Sequence, residues 1–318
     1  MLPDLFLDRL ARIVPADRLD AVQATFTGPL MTGVRATLRA DGPISVALAT
    51  ADVPAEPVAG VPGAYAVPPE EREALLASAP YAAGALYVQN LSSQLPPHLL
   101  APEPGERVLD LCAAPGSKTG QLAMRMQNEG EIVAVEKVPR RFARLRRNVL
   151  AQGADIVRPV LGSGAATWHH EPEAFDRVLV DAPCSTEGRF RTDEPDTTRY
   201  WSRRKIKEMR GVQRSLLFSA IQCLRPGGRL VYSTCTFAPE ENEGVVAKAL
   251  KTFGDRIEVV DTGLDPVLAA HAQPGLKAWN DRALPEAVGR TRRILPDGRF
   301  EAFYVAVFTK HASTLPGR

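Results

Sequence analysis

Two of the four cysteines in this 318-residue chain stand where thiol chemistry could occur. The run Val178-Leu179-Val180-Asp181 leads into Ala182-Pro183-Cys184-Ser185, and Arg229-Leu230-Val231-Tyr232-Ser233 leads into Thr234-Cys235-Thr236. Both runs have the composition of buried strands, which would deliver the two thiols to one edge of a single sheet. A lone cysteine at a strand tip is most often a small buried hydrophobe. Two at equivalent positions, one beside a proline and an aspartate, point away from that inert reading toward a reactive thiolate. Cys112 and Cys223 give no such signal: Cys112 lies in a turn where it could touch a ligand, and Cys223 lies on an apolar helical stripe. Without a Cys-x-x-Cys pair, or a third ligand spaced to join His169-His170, neither a disulfide framework nor a metal site is assigned.

A second group of residues suits a cofactor. After Arg107-Val108-Leu109-Asp110-Leu111 comes Cys112-Ala113-Ala114-Pro115-Gly116-Ser117-Lys118-Thr119-Gly120. Small residues let backbone approach a ligand closely, and the helix that follows offers free N–H groups. The turn is not Gly-x-Gly-x-x-Gly, and it lacks the first glycine of the phosphate-binding loop, so neither of those nucleotide motifs is supported. Glu136 follows Gly116 by 20 residues and ends Ile132-Val133-Ala134-Val135-Glu136. A carboxylate there can accept hydrogen bonds from both ribose hydroxyls of an adenosine cofactor. The spacing suits S-adenosylmethionine as well as NAD, and an acid that merely ends a strand is the plainer alternative.

These residues need a scaffold, and from about residue 86 strands alternate with helices as in a parallel sheet covered on both faces. The strands expected are 107–111, 132–136, 156–160, 178–181 and 229–233, with 303–308 closing the sheet. Between the fourth and fifth, Ile206, Met209, Val212, Leu216, Leu217, Ala220, Ile221 and Leu224 recur at helical spacing, and Pro226-Gly227-Gly228 stops the helix. Asp110, Glu136 and Asp181 all fall at the carboxyl ends of strands, where open α/β sheets bind ligands. Upstream, Leu5-Phe6-Leu10-Ile13 and Leu19-Val22-Phe26 read as helices, Ile44 to Leu48 as a short apolar run and the Pro/Gly-rich residues 54–69 as loops. The expected division is a small α+β module over 1–85 and a doubly wound α/β domain over 86–318. The 39 basic and 37 acidic residues give a net charge of +2, so nucleic-acid binding would need local basic surfaces. No run of 18 apolar residues occurs and Asp4 stands where a leader would carry bases, so a cytoplasmic protein without a membrane segment is expected.

Several stretches together resemble a known family, the Sun (Fmu-type) RNA cytosine-C5 methyltransferases. They are Gln89-Asn90-Leu91-Ser92-Ser93, the residues 108–119, Asp181-Ala182-Pro183-Cys184-Ser185, Gly227-Gly228 through Thr236, and Pro239-Glu240-Glu241-Asn242-Glu243. They follow the family's order over residues 85–310, and the stretch from Trp201 to Gln213 is most similar to the bacterial ribosomal-RNA branch of RsmF type. The resemblance implies a class I (Rossmann-like) fold, S-adenosylmethionine as cofactor, and RNA as partner, ribosomal first and transfer second, with a monomer expected. It also implies that Cys235 adds to C6 of cytosine so that C5 can accept a methyl group. Cys184 would assist release, Asp181 would bond or protonate N3, and Lys118 would lie near the base. Cys112, Ala113, Ala114, Pro115, Gly116, Ser117, Lys118, Glu136, Ser163 and Asp181 would hold the cofactor. Ser163, in Leu161-Gly162-Ser163-Gly164, is a departure, because the family commonly has an acid after the third strand. A neutral hydroxyl accepts a weaker hydrogen bond, so weak cofactor affinity is expected. Relatives of RsmF type often carry C-terminal extra domains, and this chain ends soon after its closing strand, which leaves RNA selection to the N-terminal module and the catalytic surface.

Local charge supplies candidate RNA surfaces. Residues 137–147 hold six basic and no acidic side chains, and 199–210 hold six basic residues against one glutamate. The second stretch follows Gly188-Arg189-Phe190-Arg191, and Phe190, Tyr200 and Trp201 could stack on splayed bases or pack the loop. An unpaired cytidine is the expected target. Two alternatives stay open: a methyltransferase of the same fold with another acceptor, to which the paired cysteines would be irrelevant, and an RNA-binding ribosome-assembly factor without catalysis.

Overall fold

The computed structural model describes residues 2–315. Its centre is a sheet of seven main strands: β1 (Arg107–Asp110), β2 (Glu131–Glu136), β3 (Val157–Leu161), β4 (Phe175–Asp181), β5 (Leu224–Thr234), β6 (Ile257–Val260) and β7 (Phe303–Lys310). The order runs β3-β2-β1-β4-β5-β7, with β6 paired to β7. β1 to β5 are parallel, and β7 runs antiparallel to both β5 and β6. This is the class I methyltransferase fold expected of the sequence. The chain leaves β1 on one side toward β2 and β3 and returns on the other as β4, so the loops after β1 and β4 diverge and leave a crevice at the strands' carboxyl ends.

Alternation along the strands makes two cores. Val108, Ile132, Ala134, Leu179 and Val231 face one layer with Leu91, Leu95, Leu122 and Leu145, while Leu109, Val133, Val135, Val178, Val180 and Tyr232 face the other with Leu216, Leu217, Val245 and Val246. The helix Arg203–Cys223 carries the expected stripe, and Ser202 caps it by accepting from the Lys205 amide at 3.1 Å. No helix among the described residues is long and apolar enough to cross a membrane.

Residues 2–88 divide between two packing environments, the N-terminal sheet running three residues past the expected boundary at 85. Four short strands, Glu56–Pro57, Ala64–Val67, Thr32–Ala36 and Leu86–Val88, form an antiparallel sheet in that order, with Val34, Leu48, Val53, Val67, Leu75 and Leu86 as its core. The helices Asp4–Ala11 and Ala16–Ala24 pack elsewhere: Phe6, Leu10, Val22 and Phe26 join Phe190, Phe237 and Leu295. Two local expectations change. The apolar run at 44–48 lies in a helix, Ile44–Thr50, because Ile44, Ala47, Leu48 and Ala51 at helical spacing all meet that core. The Pro/Gly-rich segment contains the strand Ala64–Val67, whose Ala64, Ala66 and Val67 are buried against the sheet.

One side chain ties the N-terminal sheet to the catalytic layer. The buried Arg35 guanidinium donates to Gln89 Oε1, the Ser117 carbonyl and Gln152 Oε1, each at 2.7 Å, and burial pulls its pKa down to about 10.

Candidate active site

β4 and β5 are paired in register, Asp181 opposite Ser233, so the residues after each strand emerge side by side. The Sγ atoms of Cys184 and Cys235 lie 3.4 Å apart. Ser185 Oγ and Thr236 Oγ1, one residue further on in each loop, share a 2.8 Å hydrogen bond. Beneath them Thr236 Oγ1 meets Glu187 Oε2 at 2.9 Å, and Glu241 Oε2 accepts from the Ser185 amide at 3.0 Å and from Gln213 Nε2 at 2.7 Å. Asn242 accepts from Thr234 Oγ1 and donates to the Thr236 carbonyl. The residues 239–243 are therefore the buried footing of the thiol loops. Thr186 holds a left-handed φ of 57°, a conformation β-branched residues rarely adopt, at the bend after Ser185.

The two thiols differ electrically. A hydrogen bond from Cys184 and the nearby Arg189 guanidinium draw the Cys235 thiol below its ordinary pKa despite burial. Cys184 is pushed well above its own, first by that same bond and then by burial. Cys235 is thus the more acidic thiol of the pair and Cys184 the less acidic. Burial raises Cys112 well above the ordinary thiol value and takes Cys223 to about 12, leaving both protonated.

Lys118, in the first turn of the helix Ser117–Arg125, sends Nζ to within 2.6 Å of both Ser93 Oγ and Asp181 Oδ2. The other carboxylate oxygen of Asp181 accepts from Ser233 Oγ at 2.8 Å. One cavity of about 1310 Å³ has Lys118, Asp181, Cys184 and Cys235 in its wall. The same wall contains Cys112, Ala114, Pro115, Ser117, Glu136 and Ser163. Glu136 is almost fully buried, accepts from the Val138 amide at 2.8 Å and lies 3.3 Å from Arg141.

Two of the expected cofactor residues stand outside that wall. Ala113 is turned into the apolar core, and Gly116, with φ 100°, backs onto Leu145 and Val149, where an added Cβ would sit 3.2–3.3 Å from their methyl groups. Asp110 also turns inward rather than toward the ligand side: it accepts from Thr119 Oγ1 at 2.8 Å and, more weakly, from the Cys112 amide, and burial raises its pKa to about 6. It braces the turn. Of the three aromatics considered for stacking, Phe190 is buried with its ring 4.9 Å from that of Phe6, Trp201 is half-buried and donates to Glu187, and Tyr200 alone is exposed. Ser93, Arg141, Arg189 and Glu301 also line the cavity. Sequence spacing could not single them out as cavity residues, because they come from separate elements: Ser93 and Arg141 from two helices, Arg189 from the loop after Cys184 and Glu301 from the segment before β7.

Comparison with known proteins agrees with this geometry. A profile of the family described as 16S rRNA methyltransferase RsmB/F matches residues 97–309. The chain is 39% identical over 231 residues to a tRNA (cytosine(49)-C(5))-methyltransferase of Pyrococcus abyssi, which covers 72% of each protein. It is 42% identical over 196 residues to ribosomal RNA small subunit methyltransferase F of Escherichia coli, covering 61% of this chain and 41% of that one. The chain therefore spans about two fifths of the bacterial relative's length. A crystal structure of a methyltransferase homolog protein from Pyrococcus horikoshii is similar at a TM-score of 0.83 and 29% identity, over 97% of this chain and 95% of that one.

Proposed function

This chain belongs to the RsmB/F family of 16S rRNA methyltransferases, which are S-adenosylmethionine-dependent RNA cytosine-C5 methyltransferases, and we propose that it methylates cytosine in ribosomal RNA by a mechanism that divides the work between its two paired thiols. The observation that carries the proposal is the 3.4 Å approach of Cys184 to Cys235, with Cys235 the more acidic.

The residues present suit the cofactor. Buried Glu136 offers a carboxylate to ribose hydroxyls, Ser163 one hydroxyl, and Gly164 lets its segment pack directly against the turn after β1, since a Cβ there would fall 2.5 Å from the Leu111 carbonyl oxygen. Asp181, Cys112, Ala114, Pro115 and Ser117 complete the wall on the catalytic side. When bound, S-adenosylmethionine supplies the methyl group that C5 accepts.

Cys235 does the covalent work. Its sulfur bonds to C6 of the cytosine, and the electron pair released from the 5,6 double bond makes C5 nucleophilic. Asp181, held by Lys118 and Ser233, shares a proton with N3 and so disperses the charge that builds on the ring. Once C5 carries the methyl group, a water held by the Cys184 thiol takes up the C5 proton and passes it to solvent. The carbon–sulfur bond then breaks, the double bond re-forms and Cys235 leaves as thiolate. The unpaired target cytidine would enter from the side lined by Thr25, Gly28, Leu30, Tyr87 and Asn90, which gives the N-terminal module a share in RNA selection.

A transfer-RNA substrate is the second reading, favoured by the length over which the archaeal tRNA enzyme aligns. Labelled S-adenosylmethionine with a pool of unmodified rRNA and tRNA tests both. Cys235→Ala is expected to transfer no methyl group and form no denaturation-resistant adduct, while Cys184→Ala accumulates adduct. Full activity in either variant would refute the two-thiol mechanism, label confined to tRNA would move the substrate to the second reading, and a wild type that neither binds cofactor nor transfers a methyl group to any RNA would favour an assembly factor.

A further inference from the structure

The nucleophile has a charged neighbour to which the mechanism above gives no part. Arg189 lies on the loop after Cys184, and that loop is fastened to the nucleophile itself: the Gly188 amide donates to the Cys235 carbonyl at 3.0 Å. The approach is possible only because residue 188 has no side chain, since a Cβ there would meet the Ala302 carbonyl oxygen at 2.6 Å and the Cys235 carbonyl oxygen at 3.0 Å. Arg189 lines the same cavity as Cys184, Cys235, Asp181 and Glu301. Its Nε stands 3.8 Å from Glu301, too far for a hydrogen bond, so its donors stay free, and its side chain is 57% exposed against 15% for Glu301.

The charges that face Cys235 come from three elements. Cys184 and Asp181 arrive from the end of β4, Arg189 from the loop beyond it, and Glu301 from the segment before β7. Asp181, Glu301 and burial all oppose a thiolate there, the Cys184 hydrogen bond favours it most, and Lys118 on the same wall is paired with Asp181, which leaves Arg189 as the cation whose charge acts on Cys235. We propose that Arg189 is a positioning residue that holds Cys235 as the thiolate in the RNA-free enzyme, so that the nucleophile is charged before its substrate arrives. The proposal rests on Cys235 being the nucleophile.

The two partners have opposite signs, and this provides the test. The rate at which iodoacetamide alkylates Cys235, located by peptide mass spectrometry in the full chain without RNA, is followed from pH 5 to 9. In Arg189→Gln the midpoint should rise by about one unit, an alkylation rate roughly tenfold slower at fixed pH below it. Arg189→Lys should keep the wild-type midpoint within a few tenths of a unit, and Glu301→Gln should lower it. Methyl transfer by Arg189→Gln should fall in kcat more at pH 6.5 than at pH 8.5, with KM for RNA little changed. A midpoint in Arg189→Gln equal to that of wild type, or one that moves the same way in Arg189→Gln and Glu301→Gln, overturns the proposal. Methyl transfer retained by Cys235→Ala would instead remove the nucleophile assignment, a result separable from the alkylation profile because alkylation needs neither RNA nor cofactor.

Discussion

Ser185 Oγ lies 2.8 Å from Thr236 Oγ1, so the residues that directly follow the two paired cysteines are hydrogen-bonded to each other. Register between β4 and β5 brings the strand tips level, but it is this bond, with Glu187 and Glu241 below it, that keeps the two loops from splaying. The thiol pair is thus built on buried carboxylates, and buried carboxylates make stability depend on pH.

Glu241 shows the effect most clearly. Burial raises its pKa to about 7, above the ordinary carboxylate range, although the Ser185 amide and Gln213 favour the charged form, and its Oε1 has no hydrogen-bond partner. A folded-state pKa above the unfolded one stabilises the protein fully below the unfolded pKa, and that contribution is lost as pH rises through the folded value. The wild type should therefore lose stability between about pH 4.5 and 7, by on the order of 3 kcal/mol from this group. Glu241→Gln should melt at nearly the same temperature as wild type at pH 5 and higher at pH 8. Melting curves over that range that stay parallel for the two proteins would show that the group is not titrating.

The strands and the thiol pair were legible in the sequence because their determinants are local. Runs such as Val178-Leu179-Val180-Asp181 announce a buried parallel strand and its tip, and two such tips followed by cysteine imply adjacency. Phe6 gave no comparable sign. Its ring belongs to a cluster with Phe26, Phe190, Phe237 and Trp201, formed by contacts that span most of the chain, so its helix packs beside the catalytic loops and away from the sheet that follows it in sequence. Arg35 was hidden for a related reason: nothing in Thr-Gly-Val-Arg-Ala marks it, and three of its four acceptors come from residues 89, 117 and 152.

Lys118 and Asp181 form a pair that neither member can lose cheaply. Lys118 is buried and its Nζ is shared between Ser93 and Asp181, so Lys118→Met leaves a carboxylate at the cavity wall without its cation. Single-turnover methyl transfer should fall by about 100-fold or more, the scale of removing one preorganised electrostatic contact. Lys118→Arg should not restore it, because a planar guanidinium cannot reproduce a compact ammonium in a buried site. Activity of Lys118→Arg within a few-fold of wild type would mean that charge alone matters here.

Ser163 offers the cofactor side a gain-of-function test. It lines the cavity just before the turn of helix at Gly164–His169, where an acidic residue would present a charged acceptor. A hydrogen bond to a charged group is worth about 1 kcal/mol more than one to a neutral hydroxyl, so Ser163→Asp should bind S-adenosylmethionine roughly fivefold more tightly. Isothermal titration of both proteins decides it, and equal or weaker binding by Ser163→Asp would mean that position 163 does not face the cofactor.

Basic side chains at the start of the helix Arg203–Cys223 should carry much of the affinity for RNA. Within residues 199–210, Arg199 and Lys205 have acidic partners, whereas Arg203, Arg204, Lys207 and Arg210 form no ion pair among the described residues. Glu208, Met209 and Val212 of the same helix line the cavity, while Arg203, Lys207 and Arg210 line a separate small pocket with Arg9 and Glu240, so the cations occupy another face of the helix whose neighbouring face borders the cavity. Each phosphate neutralised on a single strand contributes about 0.7 to the slope of log affinity against log salt. Replacing Arg203, Arg204 and Lys207 together by Gln should therefore flatten that slope by about two and weaken RNA binding most at low salt, with cofactor affinity unchanged. The same replacement at Arg140, Arg144 and Arg147, exposed on the helix Pro139–Ala151, tests whether the other basic stretch shares the load. A slope that moves only for the second set would place the RNA across the β2–β3 side of the sheet rather than along the helix beside the thiols, and would redirect the search for the target's path into the cavity.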